Sequence, residues 1–166
     1  ATPARHFSGR GTGANRTAWS SWVMRSADHR VFFSGDTGLT PEFESIRERC
    51  GPFDLVMLEV GAYHPAWGDI HLGPDNALIA HRMLGGGALL PVHWGTFDLG
   101  LHAWDQPIET ITAGAAAAGV HLLTPRLGRA LEPSRIESID PWWRGLSARD
   151  ERAAVPSPAT AIIDGA

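Results

Sequence analysis

The amino-acid sequence predicts an α/β domain, a sheet covered by helices. Short runs rich in Val, Leu, Phe and Trp alternate along the chain with stretches of helical apolar spacing. Two of the runs, 54–60 and 88–92, are almost continuously apolar, as in strands buried on both faces of a sheet. Gly and Pro sit at junctions between the two kinds of segment, where the backbone must turn. Strands and helices in alternation are the pattern of a layered α/β fold.

Taken in order, Ala18 to Met24 and Arg30 to Phe33 read as two strands joined by a turn at Ser26-Ala27-Asp28-His29. The second strand runs into Ser34-Gly35-Asp36-Thr37-Gly38, a loop with glycines where the backbone is tight. A helix then begins at Thr40-Pro41-Glu42: Thr40 can cap it, Pro41 suits its first position and Glu42 suits its dipole. Phe43, Ile46 and Cys50 continue an apolar stripe that Gly51-Pro52 ends, and Cys50 on that stripe is expected to be buried and inert. Asp54 to Val60 follows as a buried strand, and Gly61 to Gly73 as a long polar loop.

Pro74 opens a second helix that continues through Ala77, Leu78, Ala80, His81 and Leu84 to Gly85-Gly86-Gly87. Ala88 to Val92 is another buried strand, ending abruptly at His93-Trp94-Gly95-Thr96-Phe97. Pro107 to Ala118 reads as a third helix, Val120 to Thr124 as a strand, and the chain around Ala130 as its hairpin return. From Ser147 onward the sequence loses periodicity. The domain is therefore expected to span 1–145, with 146–166 as a disordered tail.

The 166 residues suit one domain, with 43% hydrophobic and 19% charged side chains and a formal charge of -4. Acidic and basic residues are interspersed, which excludes the basic footprint of a nucleic-acid binder. The single Cys50 excludes an internal disulfide. No apolar run approaches the roughly 20 residues that span a bilayer, and there is no signal peptide, so a cytoplasmic location is the expectation. The chain opens at Ala1 without Met, as though a segment precedes it. Seven Trp stand against a single Tyr, and eight His invite a search for a metal site. Trp19, Trp22 and Trp94 are expected in the core and the pocket wall.

Three polar residues stand near the ends of apolar strands or just ahead of one. Asp36 follows Val31-Phe32-Phe33, His93 follows Leu89-Leu90-Pro91-Val92, and His6 lies ahead of the first strand. Strand ends of α/β sheets collect functional groups, because the scaffold is rigid there and the loops are open. Imidazole and carboxylate suit zinc and similar ions, and a carboxylate can bridge two of them. Each residue also has a plain reading. Gly35-Asp36-Thr37-Gly38 alone is better read as a tight turn, His93 alone is as readily a core histidine, and His6 alone carries no signal. Their combination, in this order, points to a metal site.

The strings Pro-Ala-Arg-His-Phe-Ser at 3–8, Phe-Phe-Ser-Gly-Asp-Thr-Gly at 32–38, Gly-Pro-Phe-Asp-Leu at 51–55, Gly-Ala-Tyr at 61–63 and Val-His-Trp-Gly-Thr-Phe at 92–97 follow in one order. They resemble the metallo-β-lactamase superfamily, within it the branch containing N-acyl-phosphatidylethanolamine-hydrolysing phospholipase D and its bacterial relatives. The resemblance runs over residues 1–145, Pro141-Trp142-Trp143 included. It implies the C-terminal half of an αββα sandwich, and two metal ions, usually zinc, sharing a bridging hydroxide. On this resemblance His6, Asp36 and His93 are metal ligands, Asp36 being the bridging carboxylate. His71, in Ile70-His71-Leu72-Gly73-Pro74, matches a histidine near the family's pocket that can face a substrate phosphate, although a solvated loop histidine is a comparable reading. Asp36 and His71 are thus the expected catalytic residues. Two cations about 3.5–4 Å apart clamp an in-line displacement and lower the pKa of bound water to about 7, which suits a phosphodiester.

The sequence departs from the family in one respect. The family's His-x-His-x-Asp-His motif, upstream of the His6 equivalent, has no counterpart here, and His64, His71, His81, His102 and His121 lack its spacing. Three ligands across two sites leave each ion short of protein groups, so the isolated chain is expected to be inactive. Half a sandwich would also expose an apolar sheet face, which favours association. The expected partner is a small-molecule or phospholipid substrate, cleaved by a phospholipase D type reaction. The alternatives are a sugar-phosphate lactone hydrolase and a non-catalytic chain that needs a complementing N-terminal half. A lipid substrate predicts an apolar access groove, and a sugar phosphate a small basic pocket. Among lesser candidates, Glu59 either orients a ligand histidine or pairs with an arginine, Tyr63 and His64 line the loop, and Arg10 and Arg16 either neutralise phosphate or are solvated.

Overall fold

Extended, β-branched and aromatic segments pair into a five-stranded sheet in the order β1-β2-β3-β4-β5. The structure is a computed structural model and describes residues 1–9, 11–97, 99–135 and 139–146. β1 (Thr2–Ala4), β2 (Trp19–Arg25) and β3 (Arg30–Phe33) are antiparallel neighbours, whereas β4 (Leu55–Glu59) and β5 (Ala88–Val92) run parallel to β3. A parallel pair needs a crossover. α1 (Glu42–Cys50) supplies it between β3 and β4, and α2 (Gly73–Met83) between β4 and β5; α3 (Gln106–Ala118) follows β5.

Residues paired across strands share a face. Val23, Phe32, Val56 and Leu89 lie on the face that packs against the helices, where Phe43, Ile46, Ala80, Leu84, Ile108, Ile111 and Trp143 complete a continuous core. The opposite face carries Trp22, Met24, Val31, Phe33, Leu55, Met57, Ala88 and Leu90. Leu123 and Leu131 pack on its β4–β5 side, but Trp22 and Met24 remain 52% and 49% exposed.

The strands and helices read from the sequence form within a residue or two of their expected ends, and four details differ. Trp19 and Trp22 are not in the core, because β2 contributes them to surface that the described chain leaves open. Val120 to Thr124 forms only a single parallel bridge, Leu89 to Leu122, and the described residues around Ala130 form no strand. Pro125, which has no N–H to donate, stops the pairing. β1 was not expected, since three residues with a central proline carry little pattern; at the sheet edge Pro3 is tolerated. Cys50 is half-buried against the core. No helix among the described residues is long and apolar enough to cross a membrane. The expected tail, apart from Leu146, lies outside the described residues, as do Arg10 and Asp98.

Candidate metal centre

The three parallel strands end on one edge of the sheet, and their C-terminal ends supply the site. β3 leads into the Asp36 loop, β4 ends in Glu59, and β5 delivers His93. Backbone bonds lock these ends together: Ser34 N–H donates to the Met57 carbonyl (2.9 Å) and Val60 N–H to the Val92 carbonyl (3.0 Å). His6 comes from the loop after β1. Arg5 N–H donates to Thr37 Oγ1 (2.9 Å) and Gly38 N–H to the Arg5 carbonyl (2.7 Å), fixing this loop to the Asp36 turn. His71 precedes α2. The imidazoles of His6, His71 and His93 stand side by side, with ring centroids 5.2 and 5.3 Å apart, and Asp36 Oδ1 lies 3.7 Å from His93 Nε2. All four residues singled out in the sequence therefore meet in one place.

The three histidines share a bonding pattern. His6 Nδ1 lies 2.8 Å from the Phe7 carbonyl, His71 Nδ1 2.7 Å from Glu59 Oε2, and His93 Nδ1 3.3 Å from the Gly61 carbonyl and 3.2 Å from Glu59 Oε2. Carbonyl and carboxylate oxygens only accept, so each neutral ring carries its proton on Nδ1 and keeps the Nε2 lone pair free. Metal-ligating histidines show this arrangement, with the second nitrogen anchored on an oxygen.

Glu59 was only a minor candidate from sequence, and the structure puts it at the centre. Its side chain has 0% exposure. Oε1 accepts from Thr37 N–H and Leu72 N–H, both at 2.9 Å, and Oε2 faces His71 and His93. Burial pushes the carboxyl pKa up, but the bonds from His71 and His93 outweigh it and hold the group below its ordinary value. His93 is raised chiefly by its bond to Glu59, against the lowering effect of burial. A signal was available: Glu59 is the one ionisable side chain in an otherwise apolar strand, where a charge must be paired.

Ligand atoms of Glu59, His71 and His93 lie within 4.8 Å of one another, close enough to hold a metal ion. The 2.7 Å contact from His71 to Glu59 is already a full hydrogen bond, so Glu59 serves the histidines as an anchor. The Asp36–His93 gap is different. At 3.7 Å it is too long for a hydrogen bond and close to the separation of about 3.4 Å for two donors on one tetrahedral ion with bonds of about 2.1 Å. The donor set of imidazole nitrogens and a carboxylate fits a zinc-like cation.

The surroundings hold this geometry tightly. His93 has φ 63° and Ala62 φ 51°, left-handed values that non-glycine residues adopt at a cost. Gly61 passes against the His93 carbonyl and Trp94, leaving no room for a β-carbon. The His6 ring stacks between Phe7 and Trp19, with centroids 4.4 and 4.8 Å away. Tyr63 stacks on His102 at 4.9 Å, and His64 Nδ1 accepts from Ala66 N–H, capping a 3₁₀ turn at Pro65–Trp67. Beside His93 and Trp94 lies a cleft of about 390 Å³ lined by Leu90, Val92, Leu123, Leu131 and Trp142, with Arg126 and Arg129 also in its wall.

The family described as the beta-lactamase superfamily domain matches residues 1–94, a span that contains His6, Asp36, Glu59, His71 and His93. An uncharacterized protein of Mycobacterium tuberculosis is 46% identical over 145 residues, covering 86% of this chain and 39% of its own length. The N-acyl-phosphatidylethanolamine-hydrolyzing phospholipase D 1 of Caenorhabditis elegans is 38% identical over 141 residues, covering 80% of this chain and 40% of its own length. The chain thus spans about two fifths of the length of these relatives. A solved metallo hydrolase from the archaeon Ignicoccus hospitalis shares the fold, with a TM-score of 0.54, 24% identity, and 80% of this chain and 48% of that chain covered.

Proposed function

Because the chain belongs to the beta-lactamase superfamily of domains, we propose that it supplies one side of a two-zinc hydrolase site that cleaves a phosphodiester in the manner of a phospholipase D. The convergence of three Nδ1-anchored imidazoles on Asp36 carries this reading. His6, Asp36 and His93 would hold the cations. Bound there, the ions supply Lewis acidity and an activated water. His71, held at Nδ1 by Glu59, would turn Nε2 to the substrate phosphate and, with a proton there as well, donate it to a non-bridging phosphoryl oxygen or to the departing alkoxide. Hydrolysis adds water across one P–O bond, leaving a phosphate monoester and an alcohol.

The substrate class is supported by the cleft beside His93, whose wall is largely aliphatic side chains and Trp142, while Arg126 there is paired with Asp140 at 2.9 Å. The apolar wall suits a lipid chain better than a compact sugar phosphate. The activity that the Caenorhabditis elegans relative's name describes is of this class.

The test is release of phosphatidic acid from N-acyl-phosphatidylethanolamine micelles with zinc present. The chain alone is expected to give no turnover, since its ligands do not complete either metal site. Combined with a polypeptide carrying the family's His-x-His-x-Asp-His motif, it is expected to turn over, and Asp36→Asn or His93→Ala to abolish this. Robust turnover by the pure chain alone would refute the incomplete-site reading. Lactone opening without phosphodiester cleavage would refute the substrate assignment.

A further inference from the structure

Glu59 gathers more of the site than any ligand does. One carboxylate joins the loop after β3 through Thr37 N–H, the start of α2 through Leu72 N–H, and the His71 and His93 rings. Among the described residues it is the acceptor at His71 Nδ1, whereas His93 Nδ1 has a second acceptor in the Gly61 carbonyl.

We propose that Glu59 is a positioning residue that sets the tautomer of His71, holding its proton at Nδ1 and leaving the Nε2 lone pair free on the side of the ring away from Glu59. The proposal rests on the metal-site reading, yet it concerns a property of the metal-free protein. The two histidines depend on Glu59 to different degrees, and that asymmetry yields a specific consequence. In Glu59→Gln the side chain keeps its shape but has one oxygen and one NH₂. If the oxygen stays on Thr37 N–H and Leu72 N–H, two bonds survive; the reverse orientation would set donors against both. The NH₂ then faces His71 and donates to Nδ1, which drives the ring proton to Nε2. His93 keeps Nδ1–H through Gly61.

The experiment is nitrogen-detected NMR of the whole chain with ¹⁵N-labelled histidine, metal-free, at a pH where the imidazoles are neutral. The expected wild-type spectrum has His71 and His93 both protonated at Nδ1. In Glu59→Gln, His71 switches to Nε2–H and His93 does not. Wild-type His71 already in the Nε2–H form would overturn the proposal even if the variant failed to fold, and so would a folded Glu59→Gln in which His71 stays Nδ1–H. Global loosening of the site would not switch one ring and spare its neighbour. Zinc affinity, measured by chelator competition on the chain combined with a polypeptide carrying the His-x-His-x-Asp-His motif, is expected to fall about 10- to 100-fold in Glu59→Gln through the lost carboxylate contact to His93 Nδ1. Failure of zinc to bind the combined wild-type protein would refute the metal reading, and it is distinguishable because the tautomers are read without metal.

Discussion

At the scale of single residues, the site is held by anchors more than by its ligands. Glu59 is fully buried, and its removal would strand two buried N–H groups at Thr37 and Leu72. An unsatisfied buried donor costs about 1–3 kcal/mol, so Glu59→Ala is expected to lose about 3 kcal/mol of unfolding free energy in urea titration. Glu59→Gln, which keeps an oxygen for those donors, should lose clearly less; equal losses would mean the carboxylate bonds are not the stabilising contact. The sequence displayed His6, Asp36, His71 and His93 through their surrounding strings. For Glu59 it left two readings open, a histidine anchor or an arginine partner, because the carboxylate's partners come from three separate loops that only the folded chain brings together.

At the scale of elements, close backbone approach places the ligands. Gly61, just beyond β4, lies against the His93 carbonyl and Trp94. Gly61→Ala must push the loop carrying His93 aside, at an overpacking cost of about 1–3 kcal/mol. Lower zinc affinity together with a lower unfolding midpoint is the expected result; an unchanged midpoint would show that the loops yield freely. α2 ends on a different device. His81 Nε2 bonds the Gly87 carbonyl at 2.9 Å, bracing the turn into β5. Burial lowers the His81 pKa, with the Gly87 bond acting in the opposite direction. The unfolded chain therefore binds a proton more readily than the native one, and stability falls as pH drops below the unfolded value of about 6.5. His93 and His29, whose pKa values are raised, act in the opposite sense, so the check is differential: the urea-midpoint advantage of wild type over His81→Gln should shrink between pH 8 and pH 5.5, and a constant difference would refute the role of His81. The helices and buried strands were legible from apolar spacing and Gly or Pro boundaries. Residues 120–124 were misjudged because the apolar run outweighed Pro91 and Pro125, which lack the N–H groups the next rung of pairing needs.

For the molecule as a whole, the two faces of the sheet differ. Helices seal one, while Trp22 and Met24 on the other stand about half exposed beside Val31, Phe33 and Met57. A contiguous apolar face of this kind drives association. Gel filtration of the purified chain is expected to show species larger than a monomer, and Trp22→Lys with Met24→Lys to shift them toward monomer. A well-behaved wild-type monomer would argue that this face needs no cover.

The sequence by itself determined the α/β class, the order of the main elements and four of the residues at the site. These depend on local patterning and on short strings that survive without their surroundings. Only the tertiary structure decided which side of the sheet is sealed, that Trp22 lies outside the core, and that Glu59 anchors both His71 and His93. Those facts depend on contacts between residues far apart in the chain, and strand register and loop packing, not residue type, set which of them meet.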